Sequence, residues 1–299
     1  MKINLAGIAS ILLSMLFGSC TNTEFQKVKK LAEQGDAQAQ FELAWMYFDG
    51  DGTKQDDARA IEWFTKSAAQ GNQYAQYDLG LIYKEGDGVV QDYRKAVELL
   101  EQSAGQGNDR AQHLLGLLFV EGTGVPQDYA KAQDYLTKSA DQGNQYAQCA
   151  LGAMYAGGEG VAQDNQKAFE LFTQSAEQGD DDAQFNLGIM YETGQGVPQD
   201  PAKAAQMYTL SAEQGNEEAQ FNLALMYEKG AGIAKDDQKA LHWYRASADQ
   251  GYSNAQLNLG IRYLDAGELE EGRRWIRAAC EAGNEKARSL WDDLKLVDL

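Results

Sequence analysis

Proline, histidine and cysteine are all scarce in this sequence. The 299 residues include 3 prolines, 2 histidines and 3 cysteines, while 43% of the chain is apolar. So little proline and so many apolar residues exclude a disordered chain and predict a sizeable packed core. So few histidines and cysteines leave little material for a metal centre or a nucleophilic site. His-x₃-His, CxxC, Ser-x-x-Lys and Gly-x-Ser-x-Gly are all missing.

Basic residues are also in short supply relative to acidic ones. The chain has 26 lysines and arginines against 45 aspartates and glutamates, and its net charge is −19. An excess of negative charge repels phosphate backbones, so nucleic acid is excluded as a partner. No run of six like charges occurs, and the acidity is therefore typical of a folded, soluble surface.

The cysteines do not form a pattern. Cys149 and Cys280 have neither paired nor metal-like spacing, which argues against a disulfide framework. We interpret both as small side chains packed among apolar neighbours.

The first twenty residues differ from all that follow. Lys2 precedes an apolar stretch from Ile3 to Phe17, which is short for a membrane span and typical of a secretory signal peptide. Its end, Phe17-Gly18-Ser19-Cys20, resembles the bacterial lipobox, although Phe17 stands where that motif most often has Leu. We predict a lipoprotein signal peptide over residues 1–19 and lipidation of Cys20. Ordinary signal-peptidase cleavage and an uncleaved anchor are the alternatives.

What the sequence has in abundance is an internal repeat. Glutamine precedes each repeat glycine, and Ala, Gln and Leu follow it four, five and eight residues later. The interval is always 36 residues, with glycines at Gly35, Gly71, Gly107, Gly143, Gly179, Gly215 and Gly251. Fixed periods of this length indicate a repeat architecture.

Each repeat contains two stretches with helical periodicity. Ala183, Leu187 and Tyr191 recur along one helical face, and Ala204 and Tyr208 do so in the second half of the same repeat. Each unit is therefore predicted to be two antiparallel helices that cannot bury their apolar faces alone.

A glycine-rich segment, GxGVxQD or a close variant, separates the two helices in six repeats. A phosphate-binding loop would follow a strand and carry a Lys-Ser/Thr pair, whereas this segment follows a helix and lacks that pair. We interpret it as a turn, in which glycine ends the first helix and aspartate caps the second. These caps are Asp92, Asp128, Asp164 and Asp200.

The combined pattern resembles the Sel-1-like repeat family, a relative of the tetratricopeptide repeats. The resemblance covers Gly35 to Gly283 and implies an all-α, right-handed α-solenoid of about seven repeats (residues 35–283) with capping half-repeats. Residues 20–34 would comprise the anchor cysteine and an N-terminal capping helix, and residues 284–299 a C-terminal one. The seventh repeat lacks the GxGV turn, which predicts a shortened loop.

No residue set points to catalysis. His113 and His242 lie in distant repeats, and the DGDG and EGDG segments lack a complete set of calcium ligands. We predict no catalytic residue, no metal and no cofactor. Some secreted members of the family bind or hydrolyse β-lactams, but those are rich in cysteine and this chain is not.

The resemblance implies that positions three, six, seven and ten after each repeat glycine line a concave face. Asparagine amides can pair with a peptide main chain and aromatic rings can hold side chains. Alternatively, the aromatic residues only pack adjacent first helices together. The predicted partner-binding residues are Tyr74, Tyr77, Tyr146, Phe185, Asn186, Phe221, Asn222 and Asn258.

These observations predict an exported, membrane-tethered scaffold that binds an extended segment of a partner protein. Glu192 and Glu228 would form an acidic rim, so a basic or neutral segment is favoured. The expected location is the bacterial cell envelope, in the outer membrane where the host has two, because Thr21 rather than Asp follows Cys20. The rivals are a β-lactam- or cell-wall-directed enzyme and a purely structural subunit of an envelope complex.

Overall fold

A computed structural model describes residues 22–293, and every regular element within that range is an α-helix. The chain divides into two compact units, the first ending at Asn144 and the second starting at Gln145. The first unit has α1 (Asn22–Glu33), α2 (Ala37–Asp49), α3 (Asp57–Ala69), α4 (Gln73–Glu85), α5 (Tyr93–Gly105), α6 (Asp109–Glu121) and α7 (Tyr129–Asp141). The second unit has α8 (Gln145–Gly157), α9 (Asn165–Glu177), α10 (Asp181–Thr193), α11 (Pro201–Glu213), α12 (Glu217–Lys229), α13 (Asp237–Asp249), α14 (Ser253–Asp265), α15 (Leu269–Glu281) and α16 (Glu285–Asp293).

The helix pairs of the predicted all-α solenoid are present, and their ends follow from the sequence. In the sixth repeat, Asn216 caps the first helix by accepting a hydrogen bond from the Ala219 amide at 2.9 Å. The same helix ends at Gly230, which adopts a left-handed conformation with φ of 69°. The second helices begin at the predicted aspartates, whose side chains accept hydrogen bonds from main-chain amides two or three residues ahead. Such caps stabilise each helix by about 1 kcal/mol.

The glycine-rich segment between α10 and α11 is a turn. Gly194 and Gly196 have φ values of 77° and 73°, which only glycine adopts without strain. Gly196 is required for a second reason, since a Cβ there would lie 2.5 Å from the main-chain oxygen of Asn165. The turn interpretation is confirmed, and these glycines are needed for the backbone conformation of the turn.

Each first helix packs closely on the second helix of its own repeat. A Cβ on Gly188 would lie 2.6 Å from the ring of Tyr208, so the glycine makes room for that fully buried side chain. Leu187 and Leu223, which recur eight residues after the repeat glycine, are 4% and 0% exposed. The buried side chains therefore lie between the paired helices of each repeat.

The repeated serine and glutamine connect neighbouring helices. Ser247 Oγ donates to the main-chain oxygen of Glu217 at 2.7 Å, which links α13 to α12. Gln250 Nε2 donates to Gln220 Oε1 at 2.9 Å, and Gln220 Nε2 donates to the oxygen of Ala212 at 3.1 Å. Because buried polar groups need partners, the invariant Gln-Gly and Ala-Gln pairs of the repeat are explained by this ladder.

Both ends carry single helices, as predicted. Helix α1 buries Phe25 and Val28 against α2, and α16 buries Ala287 beside α15. The connection between α14 and α15 consists of residues 266–268, which confirms the shortened loop of the seventh repeat. The glutamine ladder also ends there, because Ala282 replaces the usual glutamine, and Gln256 Oε1 is buried with no hydrogen-bond donor.

Residues 22–293 contain no helix with the length and apolar character needed to cross a bilayer. The predicted signal segment and Cys20 lie outside the described residues, and so does the end of the predicted C-terminal capping helix.

Candidate functional site

The predicted binding residues are divided between the two units. Tyr74 and Tyr77 lie on α4 of the first unit, and Tyr146 lies on α8 of the second. The other five occupy α10, α12 and α14, all first helices of the second unit. We call these five the second-unit face: Phe185, Asn186, Phe221, Asn222 and Asn258.

The phenylalanines of this face are half-buried and pack on the helices behind them. The ring centroid of Phe185 is 5.9 Å from that of Tyr208, and Phe221 is 5.8 Å from Tyr244 and 5.3 Å from Tyr252. These rings therefore contribute to packing, which was one of the two interpretations of the aromatic positions. Their exposed edges remain part of the surface.

Tyr208 connects the core to this face. Its ring is fully buried, yet its hydroxyl donates to Glu192 Oε2 at 2.6 Å. The side chain of Asn222 also acts on this hydroxyl, and its effect is to lower the pKa of Tyr208. Burial, and then the nearby carboxylate, raises the pKa of Tyr208, so the hydroxyl keeps its proton.

The next repeat contains the same arrangement. Tyr244 donates to Glu228 Oε2 at 2.5 Å, and Asn258 Nδ2 lies 3.4 Å from the Tyr244 hydroxyl. Each tyrosine hydroxyl uses its one proton to donate a hydrogen bond to a glutamate. Its oxygen can therefore only accept a hydrogen bond from the asparagine. This contact assigns the NH₂ group of Asn258 to Tyr244 and leaves its carbonyl Oδ1 as an acceptor. Asn222 acts on Tyr208 in the same direction, since it lowers the pKa of that hydroxyl.

Asn186 has a different partner. Its Nδ2 donates to the main-chain oxygen of Asp182, one turn earlier in its own helix, at 2.8 Å. The second helix before it carries Phe172 where later repeats carry Tyr208 and Tyr244. Because phenylalanine has no hydroxyl, Asn186 lacks the tyrosine contact that orients Asn222 and Asn258.

Only part of the predicted acidic rim has an uncompensated charge. Arg262 Nη2 lies 2.7 Å from Glu228 Oε1, and its guanidinium lies 5.1 Å from the centroid of the Tyr244 ring. Although burial opposes the change, hydrogen bonds from Tyr244 and Arg262 lower the pKa of Glu228. The rim prediction is therefore wrong for Glu228, whose charge is compensated, whereas Glu192 has no ion pair within the described residues.

Negative charge is concentrated instead at the starts of α10 and α12. A cavity of about 410 Å³ is lined there by Asp181, Asp182, Glu217 and Glu218. Asn216 Nδ2 donates to Asp182 Oδ1 at 3.2 Å across this cavity. Burial, followed by the neighbouring carboxylates, raises the pKa of Asp182. The edge of the second-unit face is therefore strongly acidic.

The predicted tyrosines differ in accessibility. Tyr74 is 53% exposed with its ring centroid 6.1 Å from that of Phe41, and Tyr146 is 57% exposed. Tyr77 is half-buried, and burial together with the charge of Asp78 raises its pKa to about 12. Tyr74 and Tyr146 therefore offer more contact area to a partner than Tyr77 does.

Titratable groups that could serve chemistry are isolated from one another. Burial lowers the pKa of His113 to about 4, so its imidazole is neutral at pH 7. Burial and the adjacent Asp180 raise the pKa of Cys149, which keeps the thiol protonated. Within residues 22–293, no group of three or more histidine, cysteine or acidic side chains is arranged to hold a metal ion.

A sequence profile described as "Sel1 repeat" matches the chain in seven consecutive segments between residues 37 and 284. Six segments have the 36-residue period, and the seventh covers residues 253–284. The chain belongs to the Sel1 repeat family. A search of curated protein sequences found no match.

Solved Sel1-repeat structures share this fold. A protective antigen of uropathogenic Escherichia coli strains, which displays an SLR fold, is 38% identical with a TM-score of 0.78, over 88% of this chain and 57% of its own. A Sel1 repeat protein from Oxalobacter formigenes is 33% identical with a TM-score of 0.75, over 91% of this chain and 81% of its own. This chain therefore spans little more than half of the Escherichia coli protein.

A more distant structure resembles the chain in fold alone. Yeast Tom70 is 14% identical with a TM-score of 0.50, over 92% of this chain and 59% of its own.

Sequence reasoning within the Sel1 repeats missed the tyrosine hydroxyls. Tyr208 was assigned to the core, which is correct for its ring. A signal was available, because Tyr208 and Tyr244 stand where other repeats have Phe64, Leu100, Leu136 and Phe172. A hydroxyl at an otherwise apolar buried position requires a polar partner. The following repeats supply that partner in Asn222 and Asn258.

Proposed function

We propose that this Sel1-repeat protein is an exported, lipid-anchored scaffold that binds an extended segment of a partner protein through the second-unit face. Sel1-repeat solenoids are in general protein-interaction scaffolds, and stacked helical repeats provide extended surfaces for such binding. Export and the anchor rest on the signal-like prefix and on Cys20.

The observation that carries this proposal is the repeated Glu-Tyr-Asn network. Asn222 and Asn258 lie one repeat apart: the NH₂ group of Asn258 is 3.4 Å from the Tyr244 hydroxyl, and the Asn222 side chain acts on the Tyr208 hydroxyl. Two carbonyl acceptors at equivalent positions suit the main-chain N–H groups of an extended peptide. The network is absent from the earlier repeats, which have no tyrosine at this position, so the solenoid does not need it to fold.

Charge at the edge of the face supports a basic or neutral segment. Asp182 and Glu218, which line the acidic cavity, lie one helical turn before Asn186 and Asn222. Glu192 adds a carboxylate without an ion pair in the described range. An acidic peptide would be repelled there. Binding should accordingly weaken as salt screens these charges.

Crosslinking in intact cells, followed by capture of the tagged protein, tests the proposal. Asn222→Ala combined with Asn258→Ala should reduce partner affinity by about 1–3 kcal/mol, because peptide groups lose their acceptors. The matched control is Gln206→Ala with Gln238→Ala, which removes two exposed amides from second helices. Lysines of these helices are unsuitable controls, since Lys203 Nζ lies over the ring of Tyr191 at 5.2 Å.

Equal partner affinity for both double variants would place recognition elsewhere. Turnover of any compound in a β-lactam panel would favour the enzyme alternative. Copurification at fixed stoichiometry that survives both double variants would favour a structural subunit.

A further inference from the structure

A carboxylate on the first unit is held without an ion pair in an aromatic setting. Asp78 on α4 is half-buried, and its Oδ2 accepts a hydrogen bond from Trp45 Nε1 on α2 at 2.9 Å. Among residues 22–293, no lysine or arginine nitrogen lies within 4.0 Å of it. Arg110 of α6 acts on it only at longer range.

Several aromatic rings lie around Trp45, which donates to this carboxylate, and along helices α2 and α4. The Trp45 ring is fixed edge-on to Phe48 and Phe64, with centroid distances of 5.3 and 5.5 Å. Phe41 and the exposed Tyr74 lie against each other one turn away along the same helices. The site therefore combines the Asp78 carboxylate with the Trp45 ring that donates to it and with Phe41 and Tyr74 one turn away. Trp45 is only partly covered.

The repeat architecture does not require this pair. At the position of Trp45, four residues before the end of the first helix, the other repeats carry aliphatic side chains: Leu81, Leu117, Ala153, Ile189, Leu225 and Ile261. At the position of Asp78, the next two repeats carry Leu114 and Ala150, whereas the other four carry polar residues: Glu42, Asn186, Asn222 and Asn258. Apolar residues therefore fill both positions without loss of the fold.

Holding Asp78 here is energetically unfavourable for the free protein. A half-buried carboxylate loses hydration, and one neutral N–H group compensates for only part of that loss. Burial raises the pKa of Asp78 to about 7, while the Trp45 hydrogen bond and Arg110 oppose this rise. Groups perturbed in this way concentrate at binding sites.

We propose that Asp78 and Trp45, with Phe41 and Tyr74 beside them, bind a single lysine or arginine side chain of the partner protein. The inference rests on the proposed protein-binding function and specifies which residue of a partner segment the first unit selects. A cation would pair with Asp78 Oδ1, which Trp45 does not engage, and would lie against aromatic faces that attract positive charge. A neutral side chain would leave the carboxylate uncompensated.

The test uses the full mature chain labelled with 5-fluorotryptophan and needs no partner. The five tryptophans give separate ¹⁹F resonances, and Trp45→Phe identifies that of Trp45. The probes are Nα-acetyl-lysine N-methylamide and its arginine counterpart, with the norleucine and glutamate analogues as neutral and acidic controls. The lysine or arginine probe should shift the Trp45 resonance saturably, whereas the norleucine and glutamate probes should not.

Asp78→Asn keeps the shape and an acceptor for Trp45 while removing the charge. The affinity of the cationic probe for this variant should fall on the order of tenfold. Asp141→Asn, which removes an exposed charge from the same unit, should change probe affinity by less than about twofold. Equal affinity in Asp78→Asn and wild type, or an equal response to norleucine, would overturn the assignment.

These outcomes are separable from those of the proposed function. If the cationic probe did not bind, the asparagine double variant would still test partner capture through Asn222 and Asn258 independently. Conversely, a site that binds the probe would remain valid even if the asparagine variants captured partners normally.

Discussion

The hydroxyl of Tyr244 lies 2.5 Å from Oε2 of Glu228, although the tyrosine ring belongs to the buried layer between helices. A residue that fills the core therefore also determines which groups are presented on the surface. Tyr244 keeps its proton and donates it in a hydrogen bond to Glu228, so the hydroxyl oxygen can only accept a hydrogen bond from Asn258. Removing one oxygen atom from the core should therefore affect binding more than folding.

We expect Tyr208→Phe with Tyr244→Phe to preserve the fold and weaken partner binding. Phenylalanine already occupies this position as Phe64 and Phe172, so each change should alter the free energy of unfolding by about 1 kcal/mol or less. Without the hydroxyls, Asn222 and Asn258 lose their orienting acceptor. Affinity for a captured partner should fall by about 0.5–1.5 kcal/mol, as measured by titration calorimetry.

The control for these changes is Tyr129→Phe, which removes a hydroxyl bonded to the exposed Gln127 at 3.1 Å. The side-chain amide resonances of Asn222 and Asn258 provide a second readout by NMR. If they were unaffected by loss of the hydroxyls, the orienting role of the tyrosines would be refuted.

Asp78→Asn should stabilise the protein in a pH-dependent way. The folded pKa of Asp78 is raised to about 7, whereas the unfolded value is about 4. The folded chain therefore binds the extra proton between these values, and the stability of the wild type falls as pH rises through that interval. The variant lacks this group, so its advantage in melting temperature should be near zero at about pH 4, grow up to about pH 7 and then level off.

Other perturbed titratable groups of the first unit should not produce the same dependence of melting temperature on pH. His113 has a pKa lowered to about 4, and Tyr77 has one raised to about 12. Paired thermal melts of Asp78→Asn and Asp141→Asn at each pH provide the measurement. A constant difference between Asp78→Asn and wild type across the whole range would contradict the prediction.

Core truncation should damage the solenoid locally. Leu223 is 0% exposed, and Leu223→Ala should reduce the free energy of unfolding by about 2–5 kcal/mol. Leu187 is 4% exposed, and Leu187→Ala should reduce the free energy of unfolding by a similar amount. Repeats interact with their nearest neighbours, so hydrogen exchange should lose protection around α12 in the Leu223 variant while the first unit stays protected.

The control for this experiment is Leu210→Ala, since Leu210 is 44% exposed and its truncation should have a small effect. Uniform loss of protection across both units after Leu223→Ala would show that the array unfolds as one cooperative body.

Cys20 is predicted to carry the lipid anchor. The mature chain should begin at Cys20 and be recovered from the membrane fraction with the added mass of its acyl groups, as measured by intact-protein mass spectrometry. Cys20→Ala should remain unprocessed and unlipidated, because the modified thiol is absent. An unlipidated mature wild-type chain in the soluble fraction would refute the anchor.

The sequence by itself determined the architecture, because every signal involved is local. Gly194 and Gly196 require backbone conformations that residues within the same turn impose. Asp200 caps the helix that starts at the next residue, and the apolar period within each helix shows which face is buried. The 36-residue interval then indicates how often this unit recurs.

Tertiary structure alone decided which polar groups meet. Trp45 and Asp78 are 33 residues apart, and Arg262 reaches Glu228 from the following repeat. Such pairs depend on the register between neighbouring first helices, and a shift of one helical turn would separate them. The same register compensated the charge of Glu228 and brought the Asn258 amide to the Tyr244 hydroxyl, because side chains from different repeats meet only when the helices are packed.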